Sequence, residues 1–167
     1  MTSFALNARG AGLILAACVI TTFPSHTLAQ GTNPLISVWK GDLAKSTFSP
    51  GPPPRSLETR TYTQNGDGLT FVRSGGVNAD GSASPTQSFA AHFDGKDYPM
   101  TGSSNADMVT ITMSDASTLV AITKLGGNVR TTTRFTVSKD GKTMTRLQTG
   151  PNEAGLLMRN MMVYSKQ

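Results

Sequence analysis

Leu57-Glu58-Thr59-Arg60-Thr61-Tyr62-Thr63-Gln64-Asn65-Gly66-Asp67-Gly68-Leu69-Thr70-Phe71-Val72-Arg73-Ser74 is the stretch whose reading decides the fold. Two Thr-, aromatic- and β-branched-rich runs flank a short polar turn, the build of a β-hairpin. Gly, Asn and Asp tolerate the positive φ angles that tight turns require. Three further turns repeat the motif: Asn78-Ala79-Asp80-Gly81, Asp94-Gly95-Lys96-Asp97 and Lys139-Asp140-Gly141-Lys142. The run Met108-Val109-Thr110-Ile111-Thr112-Met113 has the same strand-like composition. Hairpin follows hairpin, so the chain reads as an antiparallel meander. A long meander must protect its edge strands, and closure into a barrel does so.

Working outward, strand candidates are Leu57–Gln64, Leu69–Ser74, Thr86–Phe93, Met108–Met113, Leu119–Leu125, Val129–Val137, Thr143–Thr149 and Leu156–Ser165. With the segment around Trp39 this gives roughly nine strands. The fold class is therefore all-β: an up-and-down antiparallel β-barrel of about eight to ten strands with no long helix. Leu43-Ala44-Lys45-Ser46 reads as one helical turn, and Lys96–Asp107 as a mobile loop. Ser49-Pro50-Gly51-Pro52-Pro53-Pro54 fits neither helix nor central strand, because Pro lacks the amide donor. It reads as an extended connection across one end of the barrel. Alternation puts Gln87, Phe89, Ala91 and Phe93 on one face, and Val129, Phe135 and Val137 on another. Arg130, Thr132, Arg134 and Thr136 lie opposite the latter set. Both faces of the last strand are mixed, which predicts burial on both sides of part of it.

Residues 1–29 have the build of a secretory signal peptide. Arg9 supplies the positive charge, Ala11–Ile20 the apolar core, and Thr27-Leu28-Ala29 a cleavage site before Gln30. Leu15-Ala16-Ala17-Cys18 resembles a lipobox, which is the alternative: a lipoprotein anchored at Cys18. Either cut predicts export, to the periplasm or beyond, and leaves one barrel domain, residues 30–167 for the first. The apolar run is too short for a membrane-spanning helix. Cys18 is the sole cysteine, so the barrel holds no disulfide. Removing Arg9 from the 15 basic residues leaves 14 against 10 acidic ones, a net charge of about +4. The basic residues are scattered rather than clustered with aromatics, which argues against nucleic-acid binding.

Catalytic constellations are thin. His92 is the one histidine after residue 29, and no nucleophile elbow, phosphate loop or dinucleotide fingerprint appears. No metal site, cofactor or enzymatic activity is expected. Seven methionines follow residue 29: Met100, Met108, Met113, Met144, Met158, Met161 and Met162. They suit either a small core or a lining that adapts to irregular apolar ligands.

Val38-Trp39-Lys40 with Leu43-Ala44-Lys45-Ser46 resembles the N-terminal signature strand of lipocalins and fatty-acid-binding proteins. The run from Trp39 through Pro54 is similar to small exported bacterial proteins described as lipocalin-like. Val163-Tyr164-Ser165-Lys166, preceded by the hairpin at Asp140-Gly141-Lys142, resembles the closing strand of fatty-acid-binding proteins. The resemblance implies a barrel with Trp39 packed at one end and a small apolar molecule held inside. Tyr164, Met162, Arg134, Arg146 and Phe89 are then candidate ligand-binding residues. Three departures stand out: Ser37 replaces the signature glycine, no helix–turn–helix fits after the first strand, and Met162 stands where the family has a carboxylate-binding arginine. Met162 predicts a preference for an uncharged apolar ligand over a fatty acid, unless Arg134 or Arg146 points inward. The rival expectation is a packed barrel with no cavity, acting through its surface as an envelope or protein-interaction module.

Overall fold

A computed structural model describes residues 33–152 and 154–167. The predicted signal peptide 1–29, its cleavage site and Cys18 lie outside the described residues. Ten strands follow in chain order: β1 (Ser37–Thr47), β2 (Thr59–Asn65), β3 (Gly68–Ser74), β4 (Gln87–His92), β5 (Asp97–Thr101), β6 (Met108–Asp115), β7 (Thr118–Leu125), β8 (Asn128–Val137), β9 (Thr143–Pro151) and β10 (Leu157–Lys166). Each pairs antiparallel with its sequence neighbours, and β1 also pairs with β10, closing an up-and-down barrel. The described residues contain no helix. This architecture is compatible with a calycin-like fold. Closure leaves no free sheet edge, which is what the hairpin rhythm required.

The hairpin at Asn65-Gly66-Asp67-Gly68 forms as read. Asn65 pairs with Gly68, and Gly66 takes φ 57° at the first central position. An additional tight turn at Gly126-Gly127, with φ 56° and 81°, joins β7 to β8. The Asn78–Gly81 turn does not join two strands. It folds the β3–β4 connection back on itself, with Val77 bridging both Ser56 and Ala83.

Several expectations are corrected. Leu43–Ser46 is no helical turn but a bulge within β1: the six residues from Asp42 to Thr47 oppose only the three from Val163 to Met161. The bulge is pinned by Ser46, whose hydroxyl donates to the Asp42 carbonyl (2.7 Å) and accepts from the Val163 amide (3.0 Å). The segment 96–107 holds β5, a short strand that pairs with two residues of β4 and three of β6. Its Pro99 obscured the strand in the sequence, since Pro cannot donate to a ladder. Val129 does not share the inner face with Phe135. A register shift at Thr123/Lys124 breaks the alternation, and Val129 is 58% exposed. The Pro-rich segment lies in the β1–β2 connection, and it is tied to β10 through Arg159 N–H to the Ser49 carbonyl (2.6 Å).

Strand alternation fixes the two ends of the barrel. The β2–β3, β4–β5, β6–β7 and β8–β9 turns share one end with residues 33–36 and the end of β10. The longer β1–β2, β3–β4, β5–β6 and β9–β10 connections share the other. The first end is packed solid. Leu35, Trp39, Leu69, Ile111, Leu119, Val137, Met144 and Tyr164 are buried there, each at 3% exposure or less. Trp39 is fully buried as expected, and its indole N–H donates to the Leu35 carbonyl at 2.9 Å.

Close backbone approach dictates one residue at the other end. Gly102 has φ 75°, and a Cβ there would lie 1.8 Å from the Thr86 carbonyl oxygen. Gly102→Ala is therefore expected to cost about 1–3 kcal/mol from backbone strain alone, with the clash added. Urea denaturation checks it, and an unchanged midpoint would contradict the packing described.

Candidate functional site

Three inward positions of one chain segment build the centre of the site. Glu58, just before β2, and Arg60 and Tyr62 within it alternate into the barrel and are 8%, 4% and 3% exposed. Arg60 Nε donates to Glu58 Oε1 (3.3 Å), and Arg60 Nη1 to the Tyr62 hydroxyl (3.2 Å). From β10 the Tyr164 hydroxyl donates to the same Glu58 oxygen at 2.8 Å. The Arg60 guanidinium also stands over the rings of Phe71, Phe135 and Tyr164, at 4.7, 5.3 and 5.8 Å.

Burial alone pushes the Glu58 carboxyl up. The guanidinium of Arg60, with Arg146 and Arg73 beyond it, more than reverses this and leaves its pKa at about 2. Burial pushes the Tyr164 hydroxyl up to about 12, so it remains a donor at neutral pH. Burial likewise lowers the pKa of Arg73 from its ordinary value.

Above this network, toward the long connections, lies a cavity of about 500 Å³. One wall is aromatic. Tyr62 packs on Phe71 at 5.1 Å between ring centroids, Phe71 on Phe89 at 4.9 Å, and Tyr62 against Phe135 at 6.2 Å. Met100, Val109 and Ala121 extend the apolar surface. Polar side chains complete the lining: Arg73 and Gln87 from the same strands as Phe71 and Phe89, Thr131 and Thr133 from β8, and Arg146 and Gln148 from β9. Asn105 and Ala106 of the β5–β6 connection and Asn78 and Pro85 of the β3–β4 connection border the mouth.

The residues predicted from sequence separate clearly. Phe89 and Arg146 line the cavity. Tyr164 and Met162 are buried side by side on the inner face of β10, beneath it. Arg134 is corrected: it alternates outward from β8, is exposed, and is absent from the cavity wall. Its inward neighbours Thr133 and Phe135 occupy the face it was considered for. Met162 pairs with Arg146 across β9–β10, and an Arg146 Nη1–H contacts its sulfur at 2.9 Å. A cation therefore sits beside Met162 after all, supplied by the adjacent strand. This removes the ground for expecting uncharged ligands only.

Glu58, Arg60 and Arg73 were not singled out from sequence. In Leu57–Gln64 both alternating sets are polar, so parity gave no apolar face to mark as inward. The usable signal was complementary charge at Glu58 and Arg60, two residues apart and hence on one face. His92 is exposed and paired with Asp67 at the opposite end of the barrel. Among the described residues no group of three His, Cys, Asp or Glu side chains is placed to hold a metal ion, and no helix is long and apolar enough to cross a membrane. No protein-family model matches the chain, and no curated protein matches it in sequence.

Proposed function

We propose that this chain is an exported, lipocalin-like protein that holds one small, largely apolar molecule non-covalently inside the barrel, without catalysis. The observation that carries the reading is the cavity of about 500 Å³ beside a set of stacked aromatic rings. That size lies within the range of small-molecule sites, and an apolar wall with a few fixed polar groups is their usual make-up. An interior left open to this extent counts against a solidly packed barrel that acts only through its surface. The solid packing of the opposite end supports a single entrance. Export rests on the signal-like residues 1–29.

Nile red, a neutral apolar dye, serves as the probe. It is expected to bind the full chain at one equivalent with saturable fluorescence enhancement. Gln148→Trp, which fills the cavity from β9, is expected to weaken binding roughly 5- to 10-fold through lost apolar contact. Binding that is unsaturable, or unaffected by Gln148→Trp, would refute an interior site.

A further inference from the structure

Among the described residues, the charge inside this barrel does not balance. Three arginines line the cavity: Arg60, Arg73 and Arg146. Among the described residues one carboxylate, Glu58, is buried with them, and it is engaged by Arg60 and Tyr164. The cavity lining itself contains no Asp or Glu among the described residues. Arg73 spends one donor on the Pro85 carbonyl (3.1 Å), and Arg146 spends one on the Met162 thioether, a weak acceptor. The Nε atoms of both are buried and have no hydrogen-bond partner among the described residues. Unmatched buried donors on cations are costly, so an acceptor that completed them would be bound favourably. Guanidinium groups are the side chains best shaped to take an oxyanion in a two-bonded fork.

We infer that the ligand is an amphiphilic anion: a compact aromatic carboxylate whose head is received by Arg73 and Arg146 and whose ring lies against Phe71, Phe89 and Met100. This inference rests on the binding reading above and adds the charge and shape of the ligand. The aromatic character follows from the wall, since offset ring stacking favours a planar partner over a flexible chain. The preference is opposite to the one that Met162 alone predicts, because Arg146 restores the cation from β9.

Isothermal titration of the full chain with 2-naphthoic acid and with 2-naphthalenemethanol at pH 7.5 tests it. The two share a ring system and differ in the head group. The acid is expected to bind one equivalent roughly tenfold or more tighter than the alcohol, the scale of one charge-assisted hydrogen bond. Arg73→Met and Arg146→Met should each remove that advantage while leaving the alcohol's affinity within a factor of about two. Lys139→Met, in an exposed turn at the opposite end, should leave the advantage intact. Equal binding, or tighter binding of the alcohol, would overturn the anion site and leave the apolar binding reading standing. Absence of binding by both would overturn both. The comparison of acid with alcohol needs only the unmodified chain, so it decides even if an arginine variant fails to fold.

Discussion

Trp39→Ala is expected to lower the free energy of unfolding by about 3–5 kcal/mol, the range for emptying a large aromatic site in a core. Trp39 is fully buried in the solid end of the barrel, and its N–H is satisfied by the Leu35 carbonyl. Around it lie Leu35, Tyr164 and the other residues that close this end, so the surroundings cannot collapse into the space without opening the β1–β10 seam. Lys166 lies over the ring at 5.9 Å and would lose that contact as well. Equilibrium urea denaturation followed by far-ultraviolet circular dichroism reads the change. A loss below about 1 kcal/mol would contradict the end-plug role. Trp39→Phe should cost less, because it keeps most of the apolar volume.

The second large effect is expected at Glu58. Glu58→Ala leaves the Arg60 guanidinium buried without its carboxylate and the Tyr164 hydroxyl without its acceptor, and should cost about 3–5 kcal/mol. The double change Glu58→Leu with Arg60→Met should recover part of that loss, since the Arg60 guanidinium is then no longer left buried without its carboxylate. The acid limb of the stability curve gives an independent check. The folded pKa of Glu58, about 2, lies below the ordinary value of 4.5, so the folded state favours the ionised form. A depressed carboxyl pKa contributes stability that is fully present above about pH 4.5. That stability is lost as the pH falls through 2, where the folded state must also take up the proton. The difference corresponds to roughly 3 kcal/mol at neutral pH. The unmodified chain should therefore lose stability progressively from about pH 4.5 to 2, and Glu58→Gln should flatten that slope. An acid limb identical in both would show that the carboxyl titrates ordinarily.

The barrel was legible because its signals are local. Asn65-Gly66-Asp67-Gly68 and Asp140-Gly141-Lys142 specify turns by backbone chemistry, and the runs between them alternate at a period of two. Where a ladder is irregular, local reading failed. The β1 bulge at Leu43–Ser46 looked like a helical turn because it carries helix-tolerant residues, yet its geometry comes from Ser46 bonding across to β10. Pro99 hid β5 for a similar reason: its short pairing is held from both neighbours and not by its own propensity. The register shift at Thr123/Lys124 carried Val129 out of the set that alternation assigned it to.

The site was half legible. Tyr164 and Phe89 could be placed by resemblance and parity. Strand parity did not settle whether Arg134 or Arg146 points inward, since their strands mix Thr with apolar residues and only the closed barrel decides which side is inside. The interior charge balance depends on Glu58, Arg60, Arg73 and Arg146, which come from three strands. No window of sequence holds them together, so their sum appears only in the folded chain.

We propose that a small molecule occupies the barrel interior beside the aromatic wall. Methionine methyl spectroscopy tests it most directly, because the methionines sample distinct places. Met100 lines the cavity, Met144 is buried in the solid end, and Met108 is 37% exposed. With methyl-labelled methionine, titration with 2-naphthoic acid is expected to move the Met100 resonance strongly through the ring current, and to leave Met108 and Met144 nearly fixed. A titration that moves Met108 and leaves Met100 in place, or moves none of the methionine signals, would contradict it.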